Sequence, residues 1–146
     1  MNSFVMGYPE SFIEYFKQFP VTLTSLRKAV LFSLWEAKRP LKAYDILEYL
    51  NRIKPSMTAA TVYRALDFFM NVGLIHKIES MQAYTLCSAP QSNYSLEILM
   101  VCDHCYKVIE VYEPSLRESL IQITNHASFQ VSQDVIELKG LCLDCR

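Results

Sequence analysis

Apolar positions recur with a helical period through the first half of the chain. Phe12, Tyr15 and Phe16 fall at i, i+3 and i+4, which predicts a first helix. Thr24 is placed to cap a second, whose apolar face carries Val30, Leu31, Leu34 and Trp35 before Arg39-Pro40 breaks it. A third spans Tyr44–Leu50 with Ile46, Leu47 and Leu50 inward. The loop Ile53-Lys54-Pro55-Ser56 leads to a fourth over Thr58–Val72, with Val62, Ala65, Leu66 and Phe69 as its core face and Gly73 as its C-terminal stop. After Gly73 the period shortens. Leu74–Glu79 and Ala83–Cys87 predict two strands around the turn Ser80-Met81-Gln82, and helices followed by a two-stranded hairpin make a winged helix-turn-helix.

Residues 88–95 are polar and rich in breakers, which marks a linker between a domain at 1–87 and a second at 96–146. In the second, strands are expected at Leu96–Val101 and Val108–Tyr112. A helix follows from Pro114, with Ser115 and Glu118 spaced as a capping box and Leu116, Leu120 and Ile123 on one face. A last strand covers Phe129–Leu138. The whole is α+β: a winged helix followed by a small α/β domain, so small that it needs a staple or a partner subunit.

Composition sharpens this division. Net charge is -1, yet residues 1–85 hold ten Lys/Arg against seven Asp/Glu while residues 86–146 hold four against eight. A basic half joined to an acidic one suits a nucleic-acid-facing domain beside one that is not, although scatter on two solvated surfaces gives the same arithmetic. The start lacks a basic and apolar leader, and the longest apolar run, Ile98–Cys102, is far short of the ~20 residues a membrane span needs. A cytoplasmic chain with no membrane association is expected, where thiols stay reduced and paired cysteines suggest metal before disulfide.

Four of the five cysteines form two C-x-x-C pairs, Cys102/Cys105 and Cys142/Cys145. Four thiolates fill every position of a tetrahedral zinc ion, so the site reads as structural. The alternative is a thiol–disulfide pair, but that needs an exposed thiolate near a positive neighbour, and Asp103 and Asp144 beside these pairs should raise a thiol pKa. His104 lies inside the first knuckle and is expected to be a solvated bystander. With no Ser/His/Asp set, phosphate loop or paired carboxylate, no enzyme is expected.

The outer face of the fourth helix carries Ala60, Tyr63, Arg64 and Asp67, behind a front of small residues that lets the helix approach a phosphate or a groove floor. Arg64 can then read guanine, and Tyr63 can pack on thymine methyls. An ordinary amphipathic helix with a solvated polar face has the same periodicity. The string Ala60-Thr61-Val62-Tyr63-Arg64-Ala65-Leu66-Asp67-Phe68-Phe69, followed by Gly73-Leu74-Ile75-His76-Lys77 and the two terminal cysteine pairs, resembles the ferric uptake regulator family. Leu23-Thr24-Ser25-Leu26-Arg27 is similar to its L-T-x-x-R helix start, and Lys42-Ala43-Tyr44-Asp45-Ile46-Leu47 to the helix before its recognition helix. The segment Val135-Ile136-Glu137-Leu138-Lys139-Gly140-Leu141-Cys142 looks most like its zinc-responsive branch.

The resemblance implies a homodimer, paired through its C-terminal domains, that reads a two-fold operator in double-stranded DNA and represses uptake genes when metal is bound. It makes Tyr63 and Arg64 the base readers, Tyr44 a DNA contact, and Lys42 and Thr61 phosphate contacts. It also implies a regulatory metal at the hinge, where the matching positions are His76, Cys87, Ser95 and Glu110. Serine is a poor ligand, so the set narrows to His76, Cys87 and Glu110, with a water, Glu97 or Asp103 to complete it. Three further readings stand beside this one: a regulator of another metal or of oxidation through Cys87, a constitutive DNA binder, or a zinc-knuckle protein-interaction module. His126, near a helix end, is expected to offset the helix dipole.

Overall fold

The computed structural model describes residues 7–88, 90, 96–131 and 135–146, and divides after Cys87 into two units. Most of the expected linker, Ser95 included, and part of the expected last strand lie outside the described residues.

In the first unit, α1 (Glu10–Lys17) presents Phe12 to α2 (Ser25–Ala37). The Phe12 ring is fully buried and lies 5.0 Å from Phe32 and 5.5 Å from Trp35, with Tyr8 and Phe16 at 5.2 Å. Thr24 caps α2 as the sequence suggests, its Oγ1 accepting the Arg27 N–H at 3.3 Å. The buried face is wider than one stripe, because every residue from Ala29 to Leu34 is enclosed. Ser33 tolerates this by donating its hydroxyl to the Val30 carbonyl at 2.6 Å.

The expected hairpin is present, and the sheet adds a third strand to it. A two-residue strand, β1 (Leu41–Lys42), pairs antiparallel with β3 (Ala83–Leu86), which also pairs with β2 (Ile75–Ile78), so the order is β1-β3-β2. Two residues cannot show an alternation, which is why periodicity misses β1. Lys42 then begins α3 (Ala43–Ile53), its N–H donating to Asp45 Oδ2 at 3.0 Å. The inward residues of α3 are Ala43, Ile46 and Leu50, with Leu47 only half-buried.

The turn to α4 (Ala59–Asn71) is held by Asn51 Oδ1, which accepts the Met57 N–H at 2.9 Å. Thr58 is the N-cap and accepts the Thr61 N–H. Val62, Ala65, Leu66 and Phe69 are buried as the pattern requires. Gly73 ends the helix at φ 75°; its N–H donates to the Met70 carbonyl at 3.1 Å and the Leu74 N–H to the Phe69 carbonyl at 2.9 Å. That pair of bonds is a Schellman closure, open to glycine at low cost.

In the second unit, β4 (Glu97–Cys102) is flanked by antiparallel β5 (Val108–Val111) and parallel β6 (Val135–Gly140). Between β5 and β6 runs α5 (Pro114–His126). Its cap is Glu113 and not the Ser115/Glu118 pair: the Glu113 carboxylate accepts the Ser115 N–H at 3.2 Å and hydroxyl at 2.8 Å, which lowers its pKa. Pro114 fills the first turn, and a cap two residues earlier leaves Ser115 inside the helix. The expected apolar face is not a core: no residue of α5 is buried, and Ile123 is 61% exposed. β6 runs two residues past Leu138, to Gly140, while Phe129 and Val131 lie outside any strand.

Candidate DNA-reading face and metal centres

The face of α4 opposite its core is open. Ala60, Arg64 and Asp67 are exposed, and Tyr63 is 48% exposed. Tyr44, in the first turn of α3, is 75% exposed, and Lys42 before it is exposed too. Tyr63 and Arg64 are side-chain types that can reach base edges from an exposed helix face. Thr61 is half-buried, and its hydroxyl sits 2.9 Å from the Thr58 hydroxyl, so it serves the helix cap as well as any phosphate. Arg27 is absent from the sequence-derived site, yet its guanidinium stacks 3.7 Å over the Phe68 ring and ties α2 to α4.

The two C-x-x-C pairs meet in the second unit. Cys102 ends β4, Cys142 follows its parallel neighbour β6, and Cys145 closes a single 3-10 turn, Leu143–Cys145. Their four sulfurs all lie within 4.8 Å of one another. Cys105 Sγ and Cys142 Sγ are 3.7 Å apart, far beyond a disulfide bond. Tetrahedral ligation at a Zn–S distance of ≈ 2.3 Å puts two sulfurs about 3.8 Å apart, so the spacing fits zinc.

Backbone N–H groups prepare the cluster. The Cys142 N–H donates to Cys102 Sγ at 3.5 Å, and that bond heads the causes that pull the Cys102 thiol down to about 6, with Cys105 and His104 amides adding to it. Cys145 goes the other way, up to about 12, chiefly because its thiol donates to Cys142. Thiols this close cannot all ionise alone, and a divalent cation supplies the missing charge. The expectation that Asp103 and Asp144 raise the thiols fails at Cys102. Those carboxylates pair with Lys139 at 3.7 Å and Lys107 at 4.0 Å instead.

Of the hinge set, the first unit holds two. His76 is half-buried on β2 opposite Thr85, and Cys87, two residues after Thr85 and just past the end of β3, is buried. A ligating nitrogen and sulfur thus lie within 4.8 Å of each other at the base of the wing. The second unit holds Glu110, half-buried on β5. Its Oε2 accepts the Ser88 hydroxyl at 2.7 Å and the Tyr112 hydroxyl at 3.1 Å, and the Ser88 N–H lies 3.1 and 3.0 Å from Oε1 and Oε2. Ser88 and Tyr112 escape sequence reasoning. Tyr112 shares a strand face with Glu110 by alternation, but nothing in the order of residues brings Ser88 across the 22 positions to it. Asp103, weighed as a completing ligand, is taken up by Lys139.

A model of the ferric uptake regulator family matches residues 20–139. The chain belongs to the ferric uptake regulator family. This Fur-family chain is 33% identical over 125 residues to the zinc uptake regulation protein of Escherichia coli strain K12, covering 86% of the chain and 73% of that protein. It is 30% identical over 134 residues to the peroxide operon regulator of Bacillus subtilis strain 168, covering 91% and 90%. Among solved structures, a zinc uptake regulator complexed with zinc and DNA superimposes with a TM-score of 0.80 at 31% identity, over 92% of each chain. As a member of this family the chain is a transcription regulator and not an enzyme. No helix among the described residues is long and apolar enough to cross a membrane.

Proposed function

We propose that this chain is a zinc-dependent repressor of metal-uptake genes, acting in the cytoplasm as a homodimer on a palindromic operator. The observation that carries the reading is the pairing, in one unit, of an exposed Tyr63/Arg64 reading face with a His76/Cys87 ligand pair at the wing base. Tyr63 and Arg64 read bases from α4, Tyr44 adds a DNA contact, and Lys42 and Thr61 meet phosphates.

Two metal sites divide the work. Cys102, Cys105, Cys142 and Cys145 hold a structural zinc, which supplies a fixed cross-link between strands. His76 and Cys87 hold a regulatory zinc to which Glu110 contributes a carboxylate and water supplies the remaining donor in place of Ser95. A metal held by donors from both units favours one arrangement of them, which is how an ion biases an ensemble toward DNA binding.

The dimer has its own support. In the second unit Met100, Ile109 and Leu138 form one cross-strand row and are 37%, 43% and 50% exposed. Leu141 beside them is 55% exposed, and α5 buries nothing. An apolar sheet face of this kind suits a second copy of the chain.

The test starts from elemental analysis, with two zinc equivalents per chain expected and one removable by mild chelation. Duplexes selected from a random pool by the two-zinc protein should carry a two-fold motif. Their binding should vanish on removal of one equivalent, and His76→Ala or Cys87→Ser should abolish the zinc dependence. One tightly held equivalent, with DNA affinity indifferent to chelation, would overturn the zinc-sensing reading.

A further inference from the structure

The Glu110 carboxylate lies in a cradle of donors. Two hydroxyls, Ser88 Oγ at 2.7 Å and Tyr112 Oη at 3.1 Å, converge on Oε2, and the Ser88 N–H spans both oxygens. The Ser88 hydroxyl bond is short, in the range of charge-assisted O–H···O⁻ bonds. Three donors on one side chain fix its rotamer and leave it little freedom to swing. Glu113, three residues on, also accepts a serine N–H and hydroxyl, but as a helix cap and without a tyrosine donor.

We infer that Ser88 and Tyr112 are positioning residues for a metal ligand, holding the Glu110 carboxylate so that it ligates through Oε1 alone. The inference rests on the reading of Glu110 as a regulatory ligand. Both hydroxyls load Oε2, so ligation through Oε1 is the mode that keeps every bond of the cradle. Bidentate ligation would compete with the Ser88 and Tyr112 hydroxyls for the lone pairs of Oε2. Monodentate carboxylates suit four-coordinate zinc, whereas two-oxygen ligation suits larger cations with more ligands. Ser88 also follows Cys87 directly, so one dipeptide supplies a thiolate ligand and the group that orients a carboxylate. Outer partners of this kind set ligand orientation and basicity, and losing one costs 10–100-fold in metal affinity.

The test uses full-length protein with its four-cysteine site filled, titrated with Zn²⁺ against a chromophoric chelator. Ser88→Ala and Tyr112→Phe should each weaken the second zinc roughly 10-fold, and the double variant toward 100-fold, with the first zinc unchanged. Ser88→Thr, which keeps the hydroxyl, should restore wild-type affinity. Loading Co²⁺ in the second site reports ligand geometry through its visible bands and the thiolate charge transfer. Those bands should shift in the double variant, a change that a loss of fold stability alone would not give. If the double variant binds zinc and cobalt as wild type while Glu110→Gln binds more weakly, Glu110 is a ligand and the positioning role is overturned. If Glu110→Gln and Cys87→Ser also leave the second zinc unaltered, the regulatory site itself is wrong, and the inference falls with it.

Discussion

Replacing Cys142 by Ser should unfold one half of the molecule and spare the other. Among the described residues, 21 apolar side chains are buried in the first unit and five in the second, all of the latter within Leu96–Cys102. A unit with so few enclosed side chains has little hydrophobic driving force of its own. Structural zinc binding is worth an apparent ~10–16 kcal/mol in small zinc-dependent domains. That is comparable with the whole stability of an ordinary domain, about 5–15 kcal/mol, so the metal decides whether the second unit folds. Cys142 sits at the centre of the site, its sulfur 3.7 Å from Cys105 and its N–H on Cys102. The single tryptophan, Trp35, lies in the first unit against Phe12 and Phe32 and reports on that unit alone. The Cys142→Ser protein should therefore keep its Trp35 fluorescence transition in urea. Protection of the β4 and β6 amides from hydrogen exchange should collapse, and the tightly held zinc should disappear. Persistent β4 protection without zinc would refute the argument, because the strands would then be holding themselves.

The other expectations concern separate parts of the molecule. Arg64→Ala should cost about 1–3 kcal/mol of operator binding and relax preference at one base position, whereas Lys42→Ala should weaken all duplexes alike and reduce the salt slope by about 1; anisotropy titrations at several salt concentrations separate the two. Phe12→Ala removes a fully buried ring from an aromatic cluster and should destabilise the first unit by roughly 3–5 kcal/mol, read from the Trp35 transition in urea.

How much of this the chain announces depends on the length of the signal. The core face of α4 is readable because four positions repeat with the helical period and glycine marks the stop. The four-cysteine site is readable because metal geometry demands donor types at short spacing, whatever the 36 residues between the pairs do. β1 is not readable, since two residues show no period and its partner lies far along the chain, at Leu41↔Tyr84. The α5 cap is misread because Ser115 is a preferred N-cap type and Glu113 is not, and only geometry shows the Glu113 carboxylate reaching the Ser115 N–H. The Glu110 cradle is invisible for a stronger reason: its partners are ordinary serine and tyrosine, and proximity alone gives them a role. The apolar face of α5 shows the opposite failure, where a correct pattern points to burial that one copy of the chain does not supply.

Within the first unit the proposed ligand pair and the proposed reading helix are linked by few covalent or hydrogen-bonded steps. Cys87 donates its N–H to the Leu74 carbonyl at 2.9 Å, and Leu74 donates its own to Phe69 in the last turns of α4. His76 lies two residues beyond Leu74 on β2. A metal drawing His76 and Cys87 together therefore pulls on both strands of the wing at the point where they are bonded to the helix that carries Tyr63 and Arg64. The closure around Gly73 is rigid, because its positive φ and its two backbone bonds fix the angle at which the wing leaves α4. A ligand with no backbone bond to the wing would transmit little. Placed just past β3, with its N–H bonded to the Leu74 carbonyl, Cys87 gives an ion at the wing base a short path to the proposed DNA-reading face.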